Sequence, residues 1–391
     1  MNEHGTYGMT PVAPPAHTFG RPRRTASEQL AGGGSAPPPP QAFQPLPAPT
    51  GPPPFRLDIA TVIGADAATA IEQAGTLVFH AVGDSGGVNS PQPQQIVADW
   101  MDNDLTTLHP APTFFYHLGD VVYFDGERNQ YYPQFYEPYL HYQAPIFAIP
   151  GNHDGDLGIP PVGTSLEGFM VNFCATAAAV TPDAKDVSRP AMTQPNCYWT
   201  LTTPLVTIVG LYTNCPEHGV VEQDQVDWFH DELAAAGKSK ALIVALHHPP
   251  YSADAHHGAS LPMRQLLADA FTASGRTPDL VLTGHVHNYQ RFTVPTNGKT
   301  LTYIVAGAGG YPNLHTMADV NDAPPAIPWT DPGTGATLAS YSQEMRHGFL
   351  RLTVTKAEIA GVYTTVPRPQ ESWSAGPVQQ IDTFSIALET Q

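Results

Sequence analysis

The stretch that decides the fold is LVFHAVGDSGG, residues 77–87, in which an apolar run empties into a glycine-rich loop carrying both Asp84 and Ser85. A serine-nucleophile reading of GDSGG needs a histidine and a buried aspartate earlier in the chain. Upstream of Ser85 there is only a short patterned stretch from Phe55 and, before it, a Pro- and Gly-rich leader, so no double β-barrel fits there. That reading predicts inactivation by Ser85→Ala and indifference to chelators. The other reading puts Asp84 just beyond a buried strand, where ligands gather in open α/β sheets.

Four further runs end in the same way. TFFYHLGD (113–120) continues into GDVVY, IFAIPGNHD (146–154) ends in GNHD, ALIVALHHP (241–249) leads into HHPPY, and DLVLTGHVH (279–287) ends in GHVH. Each run is short, rich in β-branched or aromatic residues, and closed by polar or glycine residues, as expected of strands buried on both faces. Helical patterns lie between or before them: ADAATAIEQAG (65–75), QQIVADWMDNDL (94–105), EQDQVDWFHDELAAAG (222–237) and LPMRQLLADAFTASG (261–275). The alternation predicts an α/β protein. The segments GFLRLTVTKAEIAGVYTTVP (348–367) and IDTFSIALE (381–389) predict antiparallel strands. Together the five strand ends deliver Asp84, Asp120, Tyr123, Asn152, His247, His285 and His287. Hard oxygen donors mixed with imidazoles suit first-row transition metals, and the set is about twice what one ion needs.

GDxG (83–86), GDxxY (119–123), GNHD (151–154), VxxH (244–247) and GHxH (284–287) occur in that order. By these motifs the chain resembles the calcineurin-like metallophosphoesterases and, within that superfamily, the purple acid phosphatases, between residues 77 and 310. The resemblance implies a four-layer αββα sandwich, two mixed β-sheets flanked by helices, over residues 56–391. It also implies hydrolysis of phosphate monoesters by a dinuclear centre with a metal-bridging hydroxide as nucleophile. Asp84, Asp120, Tyr123 and His287 are expected to hold the first metal. Asp120, Asn152, His247 and His285 are expected to hold the second, with Asp120 bridging. Most of the superfamily has Asp-x-His at the first motif; here Gly86 stands where that histidine would be, and Tyr123 replaces it.

A phenol, with a pKa near 10, becomes a ligand only when a strong cation draws off its proton. Fe(III) with a divalent partner (Fe, Zn or Mn) is therefore the expected pair. It leaves net positive charge facing an anionic substrate, whereas two divalent ions leave none. His153 is the candidate to protonate the leaving group or stabilise the transition state, with Asp154 as its orienting partner. A phosphodiesterase or nucleotide-hydrolysing activity at the same site is the alternative, and a non-catalytic metal-binding scaffold a further one.

The balance of 17 Lys and Arg against 35 Asp and Glu, net charge -18, argues against non-specific binding to nucleic acid or an anionic membrane. The expected partner is a small phosphate ester; oligomeric state is left open. No run is long and apolar enough to span a bilayer and no secretory signal is visible, so the default location is cytoplasmic, with export left open. Cys174, Cys197 and Cys215 are too few for a disulfide framework, though one bridge is allowed. Residues 1–55 read as a disordered, Pro/Gly-rich leader, and 155–196 and 311–345 as long loop-rich insertions that shape selectivity. His80, His117 and His248 are expected to be core or supporting histidines. His256 and His257 are either a solvated loop pair or reach over the pocket. Tyr251 and Tyr289 are placed at the cleft, Arg291 in a structural ion pair, and AGAGG (306–310), which lacks a P-loop lysine, in a tight turn near the site.

Overall fold

The computed structural model describes residues 24–32, 42–371 and 379–389. In chain order its strands are β1 (Arg56–Asp58), β2 (Thr76–Val82), β3 (Phe114–His117), β4 (Ile146–Ala148), β5 (Trp199–Thr202), β6 (Val206–Gly210), β7 (Ala241–Ala245) and β8 (Leu280–Thr283). They continue with β9 (Tyr289–Thr296), β10 (Lys299–Ala306), β11 (Trp329–Thr330), β12 (Thr337–Tyr341), β13 (Gly348–Thr355), β14 (Glu358–Thr365) and β15 (Gln379–Ala387). The helices used below are α1 (Ala26–Leu30), α2 (Gln92–Thr107), α3 (Gln223–Ala235) and α4 (Leu261–Ser274).

Two mixed sheets result, one of nine strands in the order β1-β5-β6-β7-β8-β10-β9-β12-β11 and one of six in the order β15-β14-β13-β2-β3-β4. Side chains alternate across a strand, and the core divides accordingly. Phe79, Ala81, Phe114 and Tyr116 of the smaller sheet meet Trp199, Ile208, Ile243 and Leu282 of the larger one in a single cluster between the sheets. The alternate residues Val82, Phe115, Val244 and Val281 belong to a second cluster that includes Val97 and Met101 of α2, Phe229 and Leu233 of α3, and Leu267 of α4. Helices on the outer faces and a sheet–sheet core between them are the expected sandwich. The predicted helices form at the predicted places, and Gly275 closes α4 in the left-handed region, φ 63°.

Strands β2, β3 and β4 run parallel, as do β6, β7, β8 and β10. Their carboxyl ends therefore point to one end of the sandwich. This topology turns five separate sequence motifs into neighbours.

Part of the stretch expected to be disordered is packed. Thr25 caps α1, and Ser27 Oγ donates to Asp331 Oδ1 at 2.7 Å. Arg264 of α4 donates to Leu30 O at 2.7 Å, and Ala26 and Leu30 are buried. Residues 42–54 also follow the surface, with Asn214 and Gln44 exchanging hydrogen bonds of 2.8–2.9 Å. The insertion at 311–345 contains β11 and β12, which extend the edge of the larger sheet. Tyr251 and Tyr289 depart from the expected cleft position. Tyr289 is fully buried, stacks on Tyr363 and donates to Asp382, while Tyr251 packs against Arg264 and Tyr303. Arg291 pairs with Asp382 at 2.7 Å, as expected.

Candidate metal centre

Asp84, Asp120 and Asn152 follow three strands of the smaller sheet; His247, His285 and His287 follow two strands of the larger one. The carboxyl ends of both sheets thus meet on one cluster. Tyr123 Oη lies 3.1 Å from Asp120 Oδ2 and 3.3 Å from both Asp84 Oδ1 and His287 Nε2. His287 Nε2 is 3.5 Å from Asp84 Oδ1, and His247 Nε2 is 3.3 Å from Asp120 Oδ2. Asn152 Oδ1 stands 3.1 Å from His247 Nε2 and 3.0 Å from His285 Nδ1. All seven predicted residues are brought together, and all are buried.

The backbone is shaped to this end. Asp84, Asp120 and His285 hold φ of 57°, 55° and 67°, conformations uncommon for residues with a Cβ and concentrated at functional sites. A Cβ on Gly151 would lie 2.1 Å from Asp120 Oδ1, and one on Gly307 2.8 Å from Asp84 Oδ2. A Cβ at 151 would meet the Asp120 carboxylate, and one at 307 the Val286 carbonyl at 2.2 Å as well as Asp84, so neither position has room for a side chain. Gly307 lies in AGAGG, which is a turn packed on the Asp84 loop, Tyr311 N–H donating to Asp84 O.

Supporting hydrogen bonds fix which nitrogen each imidazole presents. His247 Nδ1 donates to Leu118 O and His287 Nδ1 to Asn313 O, both at 2.8 Å, leaving each Nε2 as the inward atom. His285 presents Nδ1 inward instead, and its Nε2 lies 3.9 Å from Glu217 Oε1. Glu217 also accepts from His257 Nδ1 at 3.1 Å.

Electrostatics mark the cluster as short of positive charge. Burial pushes Asp84 above the usual carboxylate range. Burial also acts on Asp120, but the imidazoles of His247 and His153 outweigh it and hold Asp120 well below that range. His247 is pushed up to about 9, burial being overcome by Asp120. Burial first, then the charges of Asp120 and Asp84, hold the Tyr123 phenol well above its usual value. The phenol stays protonated until a cation takes the proton's place.

Ser85 answers differently. Its Oγ is buried, 2.7 Å from His117 Nε2, and Gly119 N–H donates to His117 Nδ1. That tautomer carries its proton on Nε2 and donates it to the serine, so it cannot act as the serine's base. Burial lowers His117 to about 3. Ser85 and His117 are a neutral pair beneath the Asp84 loop.

His153 lies at the mouth. Its N–H donates to Asp120 Oδ1 at 2.9 Å, its Nδ1 donates to Phe124 O at 2.7 Å, and its ring is 4.5 Å from that of Tyr123. Asp154 does not orient it. The Asp154 carboxylate accepts from the N–H groups of Gly151, Val121 and Val122 at 2.8–3.1 Å, tying the Asn152 loop to the Asp120 loop. His248 is buried on Thr213 Oγ1 at 2.7 Å, and His80 on Tyr142 and Asp104. Of the ambiguous pair, the His257 ring stands 4.6 Å from His285 and the His256 ring 4.6 Å from His315.

Glu217, Tyr311 and His315 also belong to the cluster and carry no motif. Tyr311 stacks on Tyr123 at 4.1 Å and His315 lies 4.5 Å from His287. Tyr311 and His315 come from the 311–345 insertion, where no periodicity signals an inward side chain.

The chain belongs to the calcineurin-like phosphoesterase family, whose model matches residues 79–289. Within that family it is similar to purple acid phosphatases 21 and 22 of Arabidopsis thaliana, 34% and 33% identical over 110 residues. The match covers 26% of this chain and 24% of each relative, so it spans about a quarter of their length. Among solved structures the fold is similar to that of a purple acid phosphatase from yellow lupin seeds (TM-score 0.53, 18% identity, 80% of this chain and 54% of that one). It is similar also to GAP50, the anchor in the inner membrane complex of Plasmodium (TM-score 0.55, 14% identity, 81% and 90%). Among the described residues no helix is long and apolar enough to cross a membrane.

Proposed function

We propose that the chain hydrolyses phosphate monoesters at a dinuclear metal centre, with residues 56–391 as the catalytic unit. Asp84, Asp120, Tyr123 and His287 hold one cation; Asp120, Asn152, His247 and His285 hold the other. One observation carries the reading: the oxygen of a buried phenol, Tyr123, lies 3.1 Å from a carboxylate oxygen of Asp120 and 3.3 Å from one of Asp84, both buried, an arrangement stable as anions only around positive charge. The donor set, oxygen-rich with a phenol on the first side and with amide and imidazoles on the second, fits Fe(III) beside a divalent Fe, Zn or Mn. When bound, such a pair polarises phosphoryl oxygens and lowers the pKa of water toward neutrality.

The protein's own residues do the rest. The Leu118 and Asn313 carbonyls hold the His247 and His287 rings in one tautomer, so the inward nitrogens need no reorganisation. Asp154 keeps the Asp120 and Asn152 loops at fixed separation. His153, anchored through Nδ1, presents Nε2 at the mouth, where a protonated ring can donate to the departing alkoxide.

Metal analysis and a visible spectrum of the purified protein, beside Tyr123→Phe and with an aryl phosphate assay on both, test the reading. Iron with a purple band that vanishes in the variant is the expected result. Two divalent ions without the band, but with chelator-sensitive turnover, would remove the phenolate assignment. Absence of both metal and turnover would remove the enzyme.

A further inference from the structure

The chain has five lysines, Lys185, Lys238, Lys240, Lys299 and Lys356, in a molecule of net charge -18. Four of them, all but Lys185, line one cavity of about 610 Å³ together with Arg276. Lys240 immediately precedes β7, Arg276 lies shortly before β8, and Lys299 opens β10. The carboxyl ends of β7 and β8 lead to His247 and His285, and β10 runs parallel to β8, so all three cations mark the amino ends. A strand of five residues spans roughly 17 Å, so this cavity lies at the opposite end of the sandwich from the candidate metal centre.

Within the cavity five cations face two carboxylates, Asp279 and Glu389. Asp279 is already engaged, accepting from Lys299 Nζ at 3.3 Å and from the Leu242 N–H at 2.8 Å. Lys238 and Lys356 are exposed and make no ion pair among the described residues. The Nε–H of Arg276 is buried without a hydrogen-bond partner. Buried donors are normally satisfied, so Arg276 stands in the cavity wall with its charge uncompensated at Nε by any described acceptor. An even scatter of solvated lysines would avoid the mutual repulsion that this clustering creates.

We propose that this cavity is a binding site for a small oligophosphate anion. Its volume falls in the range of small-molecule sites, and guanidinium and ammonium groups around a concavity suit a run of phosphates better than a single carboxylate. Among the described residues no aromatic side chain lines it, so they offer no platform for a base. That favours an inorganic oligophosphate over the triphosphate of a nucleotide.

The test is isothermal titration of the full chain, as purified, with sodium tripolyphosphate, in orthophosphate sufficient to saturate the candidate centre. One additional site per chain is expected. Lys238→Glu and Lys356→Glu should each weaken it at least about fivefold, whereas Lys185→Glu, which changes net charge equally but elsewhere, should leave it within about twofold. Hydrolysis of an aryl phosphate without tripolyphosphate should be the same in all three variants. Adenosine triphosphate binding no more tightly than tripolyphosphate would support the inorganic assignment; binding about tenfold more tightly would keep the phosphate site and reassign its ligand to a nucleotide. No additional site, equal weakening by Lys185→Glu, or capture by phosphatidylserine vesicles without any tripolyphosphate binding would overturn the proposal.

Discussion

Asp84 and Asp120 sit in a backbone conformation that costs on the order of 1–3 kcal/mol per residue, and each is aimed at the other's side of one buried cluster. Strain of this kind persists only where the surroundings over-determine it, and here the Asp154 carboxylate and the glycines at 151 and 307 do so. Ser85, next in the chain, has its hydroxyl turned to His117 and away from the cluster. The two neighbours should therefore respond oppositely to substitution. Asp84→Asn is expected to lower aryl phosphate hydrolysis by at least about a hundredfold, since even outer partners of metal ligands act on a scale of 10 to 100. Ser85→Ala should keep turnover within a few-fold and instead cost about 1 kcal/mol of stability through the lost hydrogen bond. Steady-state rates and urea denaturation of both variants check this, and loss of turnover in Ser85→Ala alone would restore the serine reading. The motif residues were legible because each sits two to six residues beyond a strand, so local pattern placed them. Glu217, Tyr311 and His315 arrive from irregular loops, and nothing local says which way they face.

At the scale of elements, α2 is joined to the smaller sheet by charge as well as by Val97 and Met101. Asp104 accepts from Arg351 Nη1 of β13 at 2.8 Å and lies 3.2 Å from His80 Nε2 of β2. Burial would raise Asp104, but its bonds to His80 and Arg351 outweigh burial and hold it below the usual carboxylate range. A carboxylate depressed in the folded state contributes stability that is fully present above its unfolded pKa, near 3.9, and that is lost as pH falls through the lower folded value. Asp104→Asn should thus cost about 2–3 kcal/mol at pH 7, and the gap to wild type should narrow only as pH drops below about 4. Urea titrations at both pH values measure it; a gap unchanged into strong acid would mean that packing alone holds the helix. Helices such as α2 were readable because one-sided burial imposes a period of 3.6, and central strands such as β7 because burial on both faces leaves a short unbroken apolar run. The last two strands of the larger sheet were not, since β12, five residues paired to distant β9, and β11, two residues paired to β12 at the edge, leave little pattern of their own. Nor was α1, a five-residue helix whose burial comes from loops more than 200 positions away in the chain.

For the whole molecule, the candidate centre is where side chains from the carboxyl ends of two separate sheets meet at one end. The cluster between the sheets, from Phe79 to Leu282, is apolar and owes nothing to those ligands, so the fold should survive without metal. The ligand end should not be equally content. Removing cations leaves Asp84 and Asp120 buried side by side with only imidazoles to offset them, and binding to the native state alone stabilises by about 2.7 kcal/mol for each ion held at a hundred times its Kd. Exhaustive chelation should lower the melting temperature by at least about 5 °C while far-ultraviolet circular dichroism at 25 °C stays unchanged, and readdition of metal should restore it. In Asp84→Asn, where one first-site ligand is gone and the carboxylate repulsion is relieved, the response to chelator should shrink. A wild-type melting temperature indifferent to verified metal loss would show that the two sheets are joined by their apolar core alone, and that the seven donors converge without serving as a clamp.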